Sequence, residues 1–101
     1  MVAIQLGTLA VATRDTGICR AGELGVCYEL YRIGDRPGYS FIFERGGYDG
    51  FSPQDVELML EVTDVVFWSI ETYRFTDVGQ LLKDFLAGRF DEAFNSPVGQ
   101  A

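Results

Sequence analysis

Residues 43–60 read FERGGYDGFSPQDVELML, and this stretch holds the signals that decide the predicted fold. The glycines of GGYDG allow a tight reversal of the chain into a short strand around residues 48–51. They do not form a phosphate-binding loop, because that loop needs a lysine followed by serine or threonine after its last glycine. Here Phe51 and Ser52 follow instead. The glycines therefore predict a turn between two strands.

The second half of this stretch predicts one helical turn followed by a strand. Ser52 can serve as a helix N-cap, Pro53 suits the first helical position, and Asp55 lies three residues after the cap. Over residues 55–63, apolar residues alternate with mainly acidic ones at a period of two, which is the pattern of a strand. A helix over these residues would leave Leu58 and Val62 off its apolar face. We therefore expect a helical turn at about residues 53–56 and a strand after it.

Upstream, the chain predicts three more strands. Residues 2–13 are rich in β-branched and aliphatic side chains, and a polar loop that contains glycines follows them. Residues 26–33 (VCYELYRI) carry apolar groups at both alternating sets of positions, so we expect this strand to be covered on more than one side. The turn signal GDRPG, residues 34–38, joins it to the strand YSFIFER, residues 39–45. The two strands and their Pro-Gly turn predict a β-hairpin.

Downstream, the hydrophobic period changes from that of a strand to that of a helix. Within residues 76–90 (TDVGQLLKDFLAGRF), apolar side chains recur at helical spacing, which predicts an amphipathic helix. Thr76 is its expected N-cap and Gly88 its expected C-terminal stop. Residues 90–94 fit one further helical turn. The pattern of residues 64–75 does not distinguish a helix from a strand.

The order of these elements resembles that of an SH3-like small β-barrel. The residues that carry the resemblance are GELGVCYELY after the long loop, YSFIFERGGYDGF around the tight turn, and SPQDVELML at the helical turn. A similar order occurs in small SH3-like subunits and accessory domains of bacterial and plastid enzymes. The resemblance implies a mainly β fold, with a barrel of about five strands over residues 2–63 followed by one or two helices.

The resemblance also implies a division of the chain. Residues 1–63 would form the barrel, and residues 64–101 a helical extension packed on it within one compact domain. Because one fold hosts many functions, the resemblance supplies no functional residue.

The charge of the chain favours a protein partner over a nucleic acid. Its 101 residues include eight basic and fifteen acidic side chains, which give a net charge of −7. Phosphate backbones repel such a protein, so we expect no nucleic-acid binding. No apolar run is long enough to span a membrane, and no basic residue precedes the first apolar run as in a signal peptide. We therefore expect a cytoplasmic protein without membrane attachment, whose charge serves solubility or a basic partner.

The residue types of the chain argue against an enzyme. The chain has no histidine, which excludes Ser-His-Asp and Cys-His catalytic arrangements and every metal site that contains histidine. We therefore expect no catalytic residue, no cofactor and no bound metal. Two carboxylate pairs, Glu44 with Asp49 and Glu57 with Glu61, could hold a cation or perform acid–base chemistry. Fifteen acids in a short chain produce such pairs by chance.

Cysteine supplies the main alternative to a non-catalytic role. Cys19 and Cys27 are the only cysteines, and we expect reduced thiols, although their spacing also permits a disulfide. Cys27 lies within a predicted strand and is interpreted as a core residue. Cys19 lies in a loop with Arg14 and Arg20, whose positive charges would favour a reactive thiolate.

One candidate partner surface follows from the resemblance. In an SH3-like barrel, the long loop after the first strand and the turn after the third strand border one groove. The residues that this arrangement would place there are Arg14, Arg20, Tyr39, Tyr48, Asp49 and Phe51. Tyrosine and arginine are enriched among residues that dominate binding energy. The alternative is that Tyr48 and Phe51 pack on the end of the barrel.

A second candidate surface is the apolar run VVFWSI, residues 65–70. Its candidate interface residues are Val66, Phe67 and Trp68. Such a run is too large to leave exposed on a monomer, so either the C-terminal helix or a second copy of the protein covers it.

Three functions of different classes remain open from the sequence. The leading hypothesis is a non-catalytic, acidic interaction or accessory domain that binds a basic protein, such as a toxin that it neutralises or an enzyme that it serves. The second is a small ligand-binding protein or enzyme that uses Cys19 or a carboxylate pair. The third is a structural homodimer sealed through residues 65–70.

Overall fold

Five antiparallel strands form a single sheet, and two helices accompany it. The structure is a computed structural model that describes residues 4–66 and 76–87. The strands are β1 (Thr8–Ala12), β2 (Leu24–Ile33), β3 (Arg36–Phe43), β4 (Tyr48–Phe51) and β5 (Leu60–Val66). The helices are α1 (Pro53–Met59) and α2 (Val78–Leu86). The mainly β class with a C-terminal helix is therefore confirmed.

The strands follow the order β4-β3-β2-β1-β5, so β4 and β5 are the two edges of the sheet. Within residues 4–66 and 76–87 no pairing joins these two edge strands, and the sheet is open rather than closed into a barrel. The SH3-like barrel and the division of the chain after residue 63 remain predictions. β5 itself continues past that point to Val66.

The predicted hairpin of β2 and β3 is confirmed, but its turn lies earlier than expected. Ile33 pairs with Arg36, which leaves only Gly34 and Asp35 in the loop. Gly34 has a φ of +66°, and a glycine with positive φ at the first loop position is what one class of two-residue hairpin turns requires. The predicted Pro-Gly turn is therefore wrong, and residues 37–38 lie inside β3.

Helix α1 is longer than the single turn that the alternating pattern predicted. The Ser52 hydroxyl accepts a hydrogen bond from Asp55 N at 3.1 Å, and Asp55 Oδ2 accepts one from Ser52 N at 3.3 Å. This reciprocal cap starts a helix that extends to Met59. Val56 and Leu60 are both buried, which is the spacing of one helical face. The prediction of a strand directly after residue 56 was therefore wrong.

Two other boundaries differ from the sequence-based expectation. β1 begins at Thr8 rather than at residue 2, because a turn precedes it in which the Thr8 hydroxyl accepts a hydrogen bond from Gln5 N. The N-cap of α2 is Asp77, whose carboxylate accepts a hydrogen bond from Gln80 N at 2.9 Å, and not Thr76. The predicted stop and the further turn after residue 87 lie outside the described residues.

Apolar side chains pack on both faces of the sheet. We call the face that carries Phe41 and Phe43 the inner face, and α1 packs against it through Val56. The buried residues of this inner cluster are Ala10, Ala12, Cys19, Cys27, Phe41, Phe43, Phe51, Val56 and Leu60. The Phe51 ring meets the Phe41 ring edge to face, with centroids 5.8 Å apart. β4 is therefore anchored to the core through Phe51.

The opposite, outer face is covered in part by α2. Val26 and Ile42 are neighbours across β2 and β3, and both are fully buried together with Leu81 of α2. Half-buried residues pack around these three, and they are Tyr28, Val78, Leu82 and Phe85. The amphipathic pattern that predicted α2 thus corresponds to a real contact with the sheet.

Candidate functional site

A β-bulge in β2 determines which side chains reach the outer face. Cys27 pairs with Phe41, but the next pair is Glu29 with Ser40, so Tyr28 is an extra residue in β2. The predicted alternation along β2 therefore breaks at this point. Cys27 remains in the inner cluster, whereas Glu29 moves to the outer face, where its Oε1 accepts a hydrogen bond from Ser40 Oγ at 2.8 Å.

Tyr31 lies across two glycines on the same outer face. Gly38 is its partner in β3, and Gly50 is the partner of Ser40 in β4. A Cβ atom at Gly38 would overlap the Tyr31 ring, and a Cβ atom at Gly50 would overlap the Tyr31 phenol oxygen. The ring thus rests on the backbone of both strands and ends beside β4, two residues from Tyr48.

Tyr48 completes this group of aromatic residues. It pairs with Ile42, so its side chain belongs to the outer face, and it is 53% exposed. Tyr28 and Tyr31 are half-buried. We call this group and the neighbouring acid Glu29 the tyrosine surface, and its members are Tyr28, Tyr31, Tyr48 and Glu29. Asp49 pairs with Phe41, so its side chain belongs to the opposite, inner face.

The carboxylates of Glu29 and of Asp49 are each held by one oxygen only. Glu29 Oε1 accepts the hydrogen bond from Ser40, and Asp49 Oδ1 accepts one from Gly50 N at 2.7 Å. Among the described residues, the second oxygen of each carboxylate accepts no hydrogen bond. Both side chains are exposed. Each acid thus has a restrained orientation and an unused acceptor that faces solvent.

The pKa of the Tyr28 phenol depends on its surroundings. Its burial raises the pKa of Tyr28 above the ordinary value, and the negative charge of Glu29 raises it further. A hydrogen bond with Ser40 acts in the opposite direction, while Tyr48 and Asp49 add smaller increases to the pKa. Tyr28 therefore stays a neutral phenol at physiological pH.

The chemistry available on the tyrosine surface is recognition of a positively charged group. The faces of tyrosine rings attract cations, and carboxylate oxygens form short, strong hydrogen bonds with them. The arrangement can therefore contact a cation.

The other residues predicted for a partner surface lie elsewhere. Arg14 and Arg20 are exposed in the loop between β1 and β2, where Arg20 lines a depression of about 310 Å³. Tyr39 packs against the inner cluster and lines a second, shallow depression of about 550 Å³ near the β2–β3 turn. Phe51 is 2% exposed and belongs to the core, as the packing alternative expected. Of the predicted set, the structure places only Tyr48 on the tyrosine surface, while Asp49 is exposed on the inner side of β4.

A buried carboxylate, which no sequence pattern singled out, organises the first depression. Glu23 is only 7% exposed. Its Oε1 accepts a hydrogen bond from Arg20 N at 2.9 Å, and its Oε2 accepts one from Arg45 N at 2.7 Å. Glu23 therefore ties the β1–β2 loop to the β3–β4 turn, and its role is structural.

Both cysteines are unpaired and belong to the inner cluster. Cys19 is 2% exposed, with its Sγ 3.5 Å from the Thr16 hydroxyl, and Cys27 is fully buried. Burial raises the pKa of Cys27 to about 12, despite the opposing effect of a hydrogen bond from its thiol to Glu29 O. A buried, protonated thiol is inert, so neither geometry nor charge supports a nucleophile at Cys27.

The members of the two predicted carboxylate pairs have different surroundings. Glu44 accepts a hydrogen bond from Leu24 N at 3.0 Å, while Asp49 is held by Gly50. Glu57 is exposed on α1 and Glu61 is exposed on β5. Residues 4–66 and 76–87 contain no group of three acidic, histidine or cysteine side chains placed to hold a metal ion.

The second predicted surface lies largely outside the described residues. Val66 is the last residue of β5, where it is half-buried and pairs with Thr8 of β1. Phe67 and Trp68 lie in the part of the chain that the structure does not describe. Neither α1 nor α2 has the length and apolar character that a membrane-spanning helix needs.

Comparisons with models of known protein families, with curated protein sequences and with solved structures found no match. The functional assignment therefore depends on the residues of this chain alone.

Proposed function

We propose that the protein is a non-catalytic binding domain of the SH3-like class that holds a basic protein partner on its tyrosine surface. The strand order β4-β3-β2-β1-β5 supports the SH3-like assignment. So do the long loop between β1 and β2 and the position of α1 between β4 and β5. These are the features on which the resemblance in the sequence depends.

The single observation that carries the proposal is that three tyrosines share the outer face, with Tyr48 exposed to solvent. Tyrosine is among the side chains most enriched at the energetic centres of protein interfaces. Tyr48 is 53% exposed and is therefore accessible to a partner. The tyrosine surface is therefore the contact region that we assign to the partner.

The charge distribution supports a basic partner. The chain has a net charge of −7, and residues 46–66 contain no lysine or arginine. The acids in that segment are Asp49, Asp55, Glu57, Glu61 and Asp64. A negative field of this kind attracts a positively charged protein over a distance of about 10 Å at 0.1 M salt and speeds its association.

The residue chemistry supports a non-catalytic role. The chain contains no histidine, and both of its thiols are buried in the inner cluster. The alternative function that used Cys19 as a reactive thiol is not favoured, because a thiol that is 2% exposed has little access to a substrate.

The test compares proteins captured from native lysate by the wild-type chain and by two alanine variants. Tyr48→Ala removes the most exposed tyrosine of the tyrosine surface. Leu58→Ala is the matched control, because Leu58 is 58% exposed but lies on α1, which packs against the inner face. Captured proteins are quantified by mass spectrometry at roughly 0.02 M and 0.3 M salt, which span weak and strong screening.

We expect a basic protein that the wild type and Leu58→Ala retain at low salt, and that Tyr48→Ala loses. Capture by all three chains alike, or by no chain, would overturn the proposal. Loss with Leu58→Ala alone would place the partner on the opposite side of the molecule and would overturn it as well.

A further inference from the structure

We infer that Asp49 prevents the open edge of β4 from pairing with β4 of a second copy of the protein. This strand is the last one on its side of the sheet, and among the described residues no strand pairs with its open side. An open edge of this kind is a template for another strand unless the chain blocks it. The inference does not depend on the proposed function, because it concerns contacts between identical chains.

The hydrogen bonds between β3 and β4 show which backbone groups point to the open side. Phe43 N donates to Gly47 O at 2.8 Å, where the ladder between the two strands begins. In an antiparallel ladder every second pair of residues exchanges hydrogen bonds, so the pair that contains Asp49, two positions along, also does so. Tyr48 and Gly50 belong to the intervening pairs. Their N–H and C=O groups therefore point away from β3, toward the open side.

Asp49 already occupies one of these outward groups. Its Oδ1 accepts a hydrogen bond from Gly50 N at 2.7 Å. Hydrogen bonds from the backbone to a neighbouring side chain compete with the ladder of a sheet. A second strand can therefore bond to Gly50 N only after the bond to Asp49 has broken.

The charge of Asp49 opposes the same pairing in a second way. Two copies related by a two-fold axis use all of the outward groups in one register, which places Tyr48 of each copy opposite Gly50 of the other. That register sets Asp49 opposite Asp49 at the axis, in a pair without mutual hydrogen bonds, where the side chains approach most closely. Like charges directly opposite one another destabilise a sheet. The carboxylate therefore repels its own copy.

The test compares the self-association of the wild type and three variants by sedimentation equilibrium. Asp49→Ala removes both the charge and the acceptor for Gly50 N. Asp49→Asn removes the charge but keeps an oxygen that can accept this hydrogen bond. Glu57→Ala is the control, because it removes one charge at an exposed position on α1. The protein concentration runs from about 10 μM to about 1 mM, which covers weak association.

We expect Asp49→Ala to self-associate at least about tenfold more tightly than the wild type, because it loses both obstacles to pairing. Asp49→Asn should lie between the two, and Glu57→Ala should match the wild type. Amide hydrogen exchange locates the contact. The amides of Tyr48 and Gly50 in Asp49→Ala should become protected as the protein concentration rises.

Self-association of Asp49→Ala no tighter than that of the wild type would overturn the inference, as would protection that arises away from residues 48–50. An equal increase in Glu57→Ala would overturn it too, because the effect would then come from net charge. Asp49→Asn keeps the test decisive if circular dichroism shows that Asp49→Ala does not fold. Association of Asp49→Asn equal to that of the wild type would overturn the role of the charge.

Discussion

The phenol of Tyr31 occupies the space where a side chain at Gly50 would stand. The two residues lie on different strands that are separated by β3, and the ring bridges them by lying across Gly38. A glycine in a strand interior costs conformational entropy, so two glycines under one ring indicate that the close approach is required. The position of Tyr31 beside Tyr48 depends on this contact.

We expect Gly50→Ala to lower the free energy of unfolding by about 1–3 kcal/mol, because the new methyl group must displace the Tyr31 ring or the strand. Urea denaturation followed by circular dichroism measures the change. Gly17→Ala is the control, since nothing lies within 4 Å of a Cβ atom there, and its effect should stay within about 0.5 kcal/mol.

A second variant separates this contact from a general strain of β4. In a Tyr31→Ala background, Gly50→Ala should cost much less than it does in the wild type, because the ring that it displaces is gone. Additive effects of the two substitutions would show that Tyr31 and Gly50 are not coupled.

The neighbours of Tyr31 could not be predicted from the sequence for a physical reason. Turn and strand signals are local, so the hairpin of β2 and β3 and the turn into β4 were predictable from a few consecutive residues. The bulge at Tyr28 depends on how two strands pair, and it reverses the face of every residue after it in β2. Glu29 therefore gave no local sign that it would lie on the outer face opposite Ser40.

We expect Glu23→Gln to lower the free energy of unfolding by about 1–3 kcal/mol. Both carboxylate oxygens accept hydrogen bonds from backbone N–H groups, and an amide can satisfy only one of them while its NH₂ group faces the other donor. Urea denaturation again measures the loss. Glu57→Gln, an exposed acid on α1, should change stability by no more than about 0.5 kcal/mol. A Glu23→Gln effect as small as that of the control would contradict the role of Glu23 as a buried cross-link.

We expect Ser52→Ala to lower the free energy of unfolding by about 1 kcal/mol, because it removes the acceptor for Asp55 N at the start of α1. The matched control is Gln54→Ala, an exposed position inside the same helix where alanine is well tolerated. Equal stability of the two variants would show that the cap does not hold the helix.

The cap also explains why the strand prediction after residue 56 failed. The residues Val56 and Leu60 are compatible with both a strand and a helix, because a separation of four positions satisfies either period. Leu58 would share their face in a strand, but in the helix it is 58% exposed. The reciprocal hydrogen bonds of Ser52 and Asp55 therefore select the helix, and the local start signal outweighed the alternation that followed it.

The buried thiol of Cys27 should make the protein less stable in alkaline solution. An unfolded thiol loses its proton near a pKa of about 8.5, whereas the folded protein holds the Cys27 pKa at about 12. Above pH 8.5 the unfolded state binds fewer protons than the folded state, so the free energy of unfolding falls as the pH rises. At about 1.4 kcal/mol per pH unit, Cys27 alone should account for a loss of about 2 kcal/mol between pH 8.5 and pH 10.

Cys27→Ala isolates this contribution from the other groups that titrate in the same range. The variant has a smaller core residue and a lower stability at pH 7, but it lacks the proton whose release favours unfolding. Its stability should therefore decline less steeply than that of the wild type above pH 8.5, with the difference measured by urea denaturation at several pH values. Parallel pH profiles for the two proteins would mean that Cys27 releases its proton as readily in the folded state as in the unfolded chain. In that case the thiol would have to be accessible to water, which its complete burial beside Phe41 opposes.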